Sequence, residues 1–198
     1  MKFTRSWRIG KYMLSTNFQE VPALYTIGIT NRTEDYWHIP MNDFDNIYYE
    51  ELLAALEFVA REFSLSACIV LASRKPEIDD EDREHGSYHV IFFDKLKFHD
   101  CWRMKTFLPV DPMTLRVTRF FKYKANVLRC AAKTDSEGAT VVQAPVLREL
   151  IDFHNRSREC SWAHYKWCML MYGIPELSLL FDSFEKVKTI EYNTRHKK

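Results

Sequence analysis

Residues 67–72 read Ala-Cys-Ile-Val-Leu-Ala, an uninterrupted run of apolar side chains. A short apolar run of this kind is typical of a buried strand. A second apolar stretch, Tyr88–Phe93, predicts another strand, and the polar, acidic segment from residue 75 to residue 86 predicts a surface loop between the two.

Apolar residues at helical spacing predict the helices. Residues 98–107 are typical of a short helix, and residues 147–154 and 162–172 of two further ones. Another helix precedes the 67–72 run, with Asp45 or Asn46 as its possible N-cap. Its apolar stripe repeats at intervals of four, three and four residues and consists of Leu52, Leu56, Val59 and Phe63.

The remaining strands are predicted from alternating or apolar segments. Ala23–Thr30 and Tyr36–Phe44 flank a turn-like sequence and resemble a hairpin. Leu115–Phe121 and Val127–Ala132 could pair, and Ala139–Gln143 predicts a further strand. This order of elements predicts an α+β fold with a mixed or antiparallel sheet packed with helices.

The length of 198 residues fits a single domain. A composition shift near Ala144 divides a sheet-rich part, residues 1–144, from a helical C-terminal part, residues 145–198. The 46% of hydrophobic residues is too high for a disordered chain. No apolar run is long enough to span a membrane and the N-terminus does not resemble a signal peptide, so we expect a cytoplasmic protein without membrane contact.

The five cysteines are dispersed and form no CxxC motif, which argues against a disulfide framework. The net charge of +1 hides an uneven distribution, because residues 97–133 contain nine Lys or Arg residues against two acids. A basic segment of this kind could contact phosphates, or could simply be a solvated face.

Two carboxylates lie close together in the sequence Asn-Asp-Phe-Asp-Asn at residues 42–46. In an extended chain Asp43 and Asp45 point to the same side while Phe44 turns into the core. Paired carboxylates repel unless a cation lies between them, so the pattern suits Mg²⁺ or Mn²⁺. The alternative is an acidic turn that caps the following helix.

Three further features could bind phosphates or metal. Ser87 and His89 lie on one face of a strand and could contact phosphate oxygens, or His89 could make a structural hydrogen bond. Asp111 could supply a third carboxylate, although an Asp before Pro112 is also an ordinary turn opener. Basic residues that follow could neutralise a triphosphate or a template backbone: Arg116, Arg119, Lys122, Lys124, Arg129 and Lys133.

The acidic pair, the Ser-x-His sequence, the third acid and the basic segment follow one another along the chain. With its motifs in this order, the chain resembles the archaeo-eukaryotic primase superfamily, the catalytic core of primases and primase-polymerases. The family's three motifs are DxD, small-x-His, and a hydrophobic residue followed by Asp. They match Asp43-Phe44-Asp45, Ser87-Tyr88-His89 and Val110-Asp111. The resemblance covers about residues 23–143, and it implies an RRM-like sheet as the catalytic core.

The resemblance also implies roles for the residues of these motifs. Asp43, Asp45 and Asp111 would hold two divalent metals, with Asp94 as the competing third carboxylate. The incoming nucleotide would be bound by Ser73, Ser87, His89, Arg129 and Lys133. The basic strands would hold a DNA template, and a helicase or another replisome component is the expected partner.

Cys160, His164 and Cys168 are spaced by four residues and could offer zinc ligands on one helix face. A core-facing stripe is the favoured interpretation, because cysteine packs as a small apolar residue. The sequence therefore predicts a primase-polymerase-like nucleotidyltransferase that uses Mg²⁺ or Mn²⁺. The alternatives are a non-catalytic RRM-like nucleic-acid-binding protein of replication and a metal-dependent nuclease.

Overall fold

The computed structural model describes residues 2–9, 12–19, 28–33, 36–110, 127–135 and 137–176. The fold is α+β, as predicted. The described residues form eleven strands and three helices, in this order: β1 Lys2–Ile9, β2 Tyr12–Gln19, β3 Gly28–Thr30, β4 Met41–Tyr48, α1 Tyr49–Phe63, β5 Ala67–Ala72, β6 Glu77–Ile78, β7 Glu84–Phe92, α2 Phe98–Lys105, β8 Val127–Arg129, β9 Lys133–Thr134, β10 Thr140–Val142, β11 Val146–Asp152 and α3 Trp162–Tyr172.

The largest sheet of the described residues has five antiparallel strands, and we call it the central sheet. Its strand order is β11-β5-β7-β4, and the short strand β6 pairs with the N-terminal part of β7. The apolar run at residues 67–72 is β5, which lies between β11 and β7. Residues 67–71 of this strand are completely buried, so the prediction of a buried strand is confirmed.

The sheet is covered on both faces, which explains why β5 and β7 are so apolar. On the face that we call the α1 face, Val70 and Val90 pack with residues of α1 and α2. On the opposite face, the α3 face, Ile69 and Ile91 pack with residues of α3. Strands β3 and β8 pair with each other and also contribute side chains to the α3 face.

Helix α1 confirms the prediction from apolar spacing, since Leu52, Leu56 and Val59 are completely buried. Its N-cap is Tyr48 and no side chain caps it, so the prediction of Asp45 or Asn46 as the cap is wrong. The physical reason is that β4 continues through Tyr48 and passes directly into the helix.

The helix predicted over residues 147–154 is also wrong, because residues 146–152 form strand β11 beside β5. The strand register shifts between Leu147 and Glu149. This irregularity lets Leu147 and Leu150, three residues apart, both pack on the α3 face. Their spacing therefore imitates a helical repeat although the backbone is extended.

Strand β3 pairs with β8 and β4 pairs with β7, so β3 and β4 do not form the predicted hairpin of residues 23–30 and 36–44 with each other. Residues 31–33 and 37–39 between them are nevertheless joined by the Arg32–His38 bridge and by backbone hydrogen bonds from Thr33 to Trp37 and from Ile39 to Asn31. The β1–β2 hairpin was not predicted, although Phe3, Trp7 and Ile9 alternate with polar residues. The predicted strand Leu115–Phe121 lies outside the described residues. No helix in the described part of the chain is both long and apolar enough to cross a membrane.

Candidate functional site

The first two predicted motifs meet across strands β4 and β7. Asp43 is the direct cross-strand partner of His89, and the neighbouring pair is Phe44 with Tyr88. Phe44 and Tyr88 are completely buried on the α1 face, whereas Asp43 and Asp45 are exposed. Phe44 thus turns into the core between two exposed carboxylates, as the alternation of the motif predicted.

His89 is held at both ring nitrogens. Its Nδ1 lies 3.0 Å from the backbone oxygen of Arg129, and its Nε2 lies 3.3 Å from Oδ1 of Asp43. A carbonyl oxygen only accepts hydrogen bonds, so Nδ1 is the donor in the first contact. The imidazole is therefore fixed in one orientation, with Nε2 facing the carboxylate of Asp43.

A bulge follows the acidic pair. The register between β4 and β7 shifts between Phe44 and Ile47, and Asn46 has a φ of 59°. Asparagine is one of the few side chains that tolerate this left-handed conformation. The bulge returns Ile47 to the α1 face and leaves Asp45 exposed beside the strand.

Ser73 and Ser87 are joined by two hydrogen bonds. The backbone N–H of Ser73 donates to the Ser87 carbonyl at 2.9 Å, and the Ser73 hydroxyl donates to the same oxygen at 3.1 Å. Both serines are buried, and Ser87 stands two residues before His89 on the same strand. The structure thus brings Ser73 and Ser87 to the strand segment that carries His89.

The guanidinium group of Arg129 bonds to backbone carbonyls. Its Nη1 donates to Ala131 at 3.0 Å and to Gln143 at 2.8 Å, and its Nη2 donates to Ser73 at 3.5 Å. Arg129 therefore ties β8 to the C-terminal end of β5 and to the segment after β10. Lys133 is half-buried in β9, which pairs with β10.

Five of the predicted site residues lie outside the described part of the chain, so they cannot be placed relative to Asp43 and His89. They are Asp111, Arg116, Arg119, Lys122 and Lys124. The third carboxylate and the basic strands therefore stay predictions.

Asp94, the competing third carboxylate, is in a different place. It is completely buried, and both of its oxygens accept the backbone N–H of Ser66, at 3.1 and 2.9 Å. Burial raises its pKa to about 6. Asp94 lies five positions after His89 along an extended segment, which corresponds to about 17 Å along the chain. This placement separates Asp94 from the Asp43–His89 pair.

Cys160, His164 and Cys168, the possible zinc ligands, are not arranged as a metal-binding group in the described structure. Cys160 precedes α3, and its thiol lies 3.2 Å from the Ser66 hydroxyl. His164 uses both ring nitrogens, because Nε2 donates to the Thr30 carbonyl at 2.8 Å and Nδ1 lies 2.6 Å from the Ser161 hydroxyl. Burial lowers the pKa of His164, so its ring is neutral and has no free lone pair.

Among the described residues, no group of three or more His, Cys, Asp or Glu side chains is arranged to hold a metal ion. Two donors nevertheless converge, the Asp43 carboxylate and the His89 imidazole, with Asp45 two residues along the strand. Mg²⁺ is commonly held by only one or two carboxylates together with substrate phosphates and water. The donor set thus fits a divalent cation that is bound together with a phosphate ligand.

A second polar cluster was missed by sequence reasoning. Arg148 donates to both carboxylate oxygens of Glu84, at 3.2 and 2.9 Å, and Glu84 also accepts the Tyr88 hydroxyl at 2.9 Å. The Tyr49 hydroxyl donates to Glu149 at 2.5 Å. These bonds join α1, β7 and β11, and they depend on the strand pairing of β11 that the sequence did not predict.

Comparison with known proteins adds no assignment: neither a family model, nor a curated protein, nor a solved structure matches the chain. The function is therefore inferred from the residues described above.

Proposed function

We propose that this protein is a primase-polymerase-like nucleotidyltransferase that joins nucleotides on a DNA template with Mg²⁺ or Mn²⁺. One observation carries the proposal. The acidic motif at residues 43–45 and the Ser-x-His motif at residues 87–89 are distant in sequence, yet Asp43 and His89 are in contact across two strands. Metal-assisted phosphoryl transfer uses carboxylates close to the groups that contact phosphate, and the proposal gives these two roles to the acidic motif and to the Ser-x-His motif.

The chain's own residues have separate roles in this proposal. Asp43 and Asp45 would hold the divalent cation, which when bound stabilises negative charge on the reacting phosphate. Ser87 and His89 would face the phosphates of the incoming nucleotide. Arg129 positions His89 through its backbone carbonyl and the Ser73 turn through its guanidinium. The basic residues between 116 and 124 would hold the template, and a helicase or replisome component would deliver it.

The test is template-directed incorporation of a labelled nucleotide with Mn²⁺ or Mg²⁺. We expect wild type to extend a primed template, and we expect Asp43→Ala and Asp45→Ala each to lose about a hundredfold or more in rate. Asp80→Ala is the matched control, because Asp80 is an exposed carboxylate in the acidic loop.

Three outcomes would count against the proposal. Wild type that binds single-stranded DNA without incorporating nucleotides, in either metal, would favour the non-catalytic binding protein. Wild type that degrades DNA with Mg²⁺ in the absence of nucleoside triphosphates would favour the nuclease. Equal activity of Asp43→Ala and Asp80→Ala would show that the acidic motif has no part in the reaction.

A further inference from the structure

His89 and Asp43 face each other with two electron-pair donors. Because Nδ1 of His89 donates to the Arg129 carbonyl, Nε2 is the ring nitrogen that is left to face Asp43. It lies 3.3 Å from Oδ1 of the Asp43 carboxylate. An imidazole nitrogen and a carboxylate oxygen at this separation can both bind one cation placed between them.

The separation of these two atoms suits a shared metal ion. A charge-assisted N–H···O bond is usually about 2.7–2.9 Å long, shorter than the distance observed. Two adjacent ligands on one metal, each bound at about 2.1 Å, lie about 3.0 Å apart in octahedral and about 3.4 Å apart in tetrahedral geometry. The observed 3.3 Å falls within that interval.

The surroundings of His89 also resemble those of a metal-binding histidine. Such a histidine typically donates its other ring N–H to a carbonyl or carboxylate, which fixes the ring. The His89 side chain is 5% exposed and is fixed in this way, whereas the Asp43 side chain is 53% exposed. The site is therefore rigid on one side and open on the other, which leaves room for water or phosphate oxygens.

We propose that Nε2 of His89 and Oδ1 of Asp43 together bind one divalent transition-metal ion. The inference rests on the proposed function for Asp43 and gives His89 a metal-binding role instead of the phosphate contact that the resemblance implies. Mg²⁺ takes oxygen ligands almost exclusively, whereas imidazole nitrogen suits first-row transition metals. Of the two ions named in the proposed function, the site therefore favours Mn²⁺ over Mg²⁺, and the later first-row ions bind such a nitrogen–oxygen pair more tightly than Mn²⁺ does.

The experiment uses the full chain without nucleotide or DNA, and Mn²⁺ as the probe. Binding is measured by electron paramagnetic resonance, with Mg²⁺ as competitor, and spin-echo modulation detects a nitrogen ligand on the bound Mn²⁺. We expect one site that prefers Mn²⁺ at least tenfold and shows nitrogen coupling. His89→Gln should abolish the coupling and most of the preference, and Asp43→Asn should weaken binding tenfold or more.

His85→Gln is the matched control, because His85 lies on the same strand and its ring packs against Tyr48 instead of Asp43. Bound Mn²⁺ without nitrogen coupling in wild type would overturn the inference, and that measurement does not depend on whether any variant folds. Unchanged Mn²⁺ preference in His89→Gln would do the same. If wild type incorporates nucleotides but its bound Mn²⁺ shows no nitrogen coupling, the proposed function stands while the inference fails.

Discussion

The buried carboxylate of Asp94 makes stability depend on pH. Its pKa rises from the ordinary 3.8 to about 6 because burial disfavours the charged form. The folded state therefore binds a proton more tightly than the unfolded state, and stability from this group increases as pH falls from about 6 to about 4. Two pKa units correspond to about 3 kcal/mol.

Asp94→Asn should remove this contribution. We expect the free energy of unfolding of the variant, measured relative to wild type by urea titration, to be about 2–3 kcal/mol higher at pH 7 than at pH 4, because only wild type loses stability as pH rises. Asp80→Asn, at an exposed position, is the control and should show no such change. If the free energies of unfolding of Asp94→Asn and wild type differ by the same amount at both pH values, the raised pKa of Asp94 is contradicted.

Gly86 is required by the ring of Tyr88 that packs against it. A Cβ at this position would lie 3.1 Å from Oη of Tyr88 and 3.5 Å from Cα of Pro76. The Tyr88 ring cannot retreat, because it is completely buried and its hydroxyl is bonded to Glu84. We expect Gly86→Ala to lower the free energy of unfolding by about 1 kcal/mol.

A double-mutant cycle tests the cause. Tyr88→Phe removes the hydroxyl oxygen, so Gly86→Ala should cost less in that background than in wild type. If Gly86→Ala lowers the free energy of unfolding equally in wild type and in Tyr88→Phe, the backbone at residue 86 requires glycine and the Tyr88 hydroxyl does not.

Single side chains differ in how far they could be predicted. The burial of Phe44 and the exposure of its two acidic neighbours follow from local alternation along β4. The contact between His89 and the carbonyl of Arg129 could not be predicted, since it spans 40 residues and exists only because β8 packs on the α3 face. Sequence reasoning assigned Arg129 to a nucleotide, whereas the structure shows its guanidinium bonded to carbonyls.

Arg129 joins three chain segments, so its loss should loosen their packing. A lysine at this position has a single ammonium group and cannot repeat the forked contacts with Ala131, Gln143 and Ser73. We expect Arg129→Lys to lower the free energy of unfolding by about 2 kcal/mol, measured by urea titration. Arg74→Lys, at an exposed position after β5, should change it little. Similar values for the two variants would show that the carbonyl contacts add no stability.

Strands and helices were predictable where one local period dominates. Helix α1 has a regular apolar stripe over four turns, and β5 is a continuous apolar run. Strand β11 was mistaken for a helix because a register shift puts two leucines, three residues apart, on one face. Such an irregularity is set by the partner strand and leaves no signal in the local sequence. The pairing of β3 with β8 was missed for the same reason, because it depends on distant residues.

At the largest scale, the described residues between 36 and 176 are organised by a sheet with a core on each face. Residues 1–144 and 145–198 were predicted as a core and a helical appendage of one domain. Strand β11 belongs to the central sheet beside β5, and α3 packs on one of its faces. If the two faces of the sheet belong to one cooperative domain, a substitution that leaves a cavity on one face should destabilise both faces.

Ile69 and Val70 are consecutive residues of β5, and both are completely buried. Ile69 packs on the α3 face and Val70 on the α1 face. We expect Ile69→Ala and Val70→Ala each to lower the free energy of unfolding by roughly 2–4 kcal/mol, because each leaves a cavity in a core. Hydrogen exchange should show that each variant reduces the protection of the slowest amides in α1 and in α3 by the same factor. If Val70→Ala lowers the protection of the amides in α1 but leaves that of the amides in α3 unchanged, the two faces unfold as separate units. The stability lost on one face would then not be shared across the sheet.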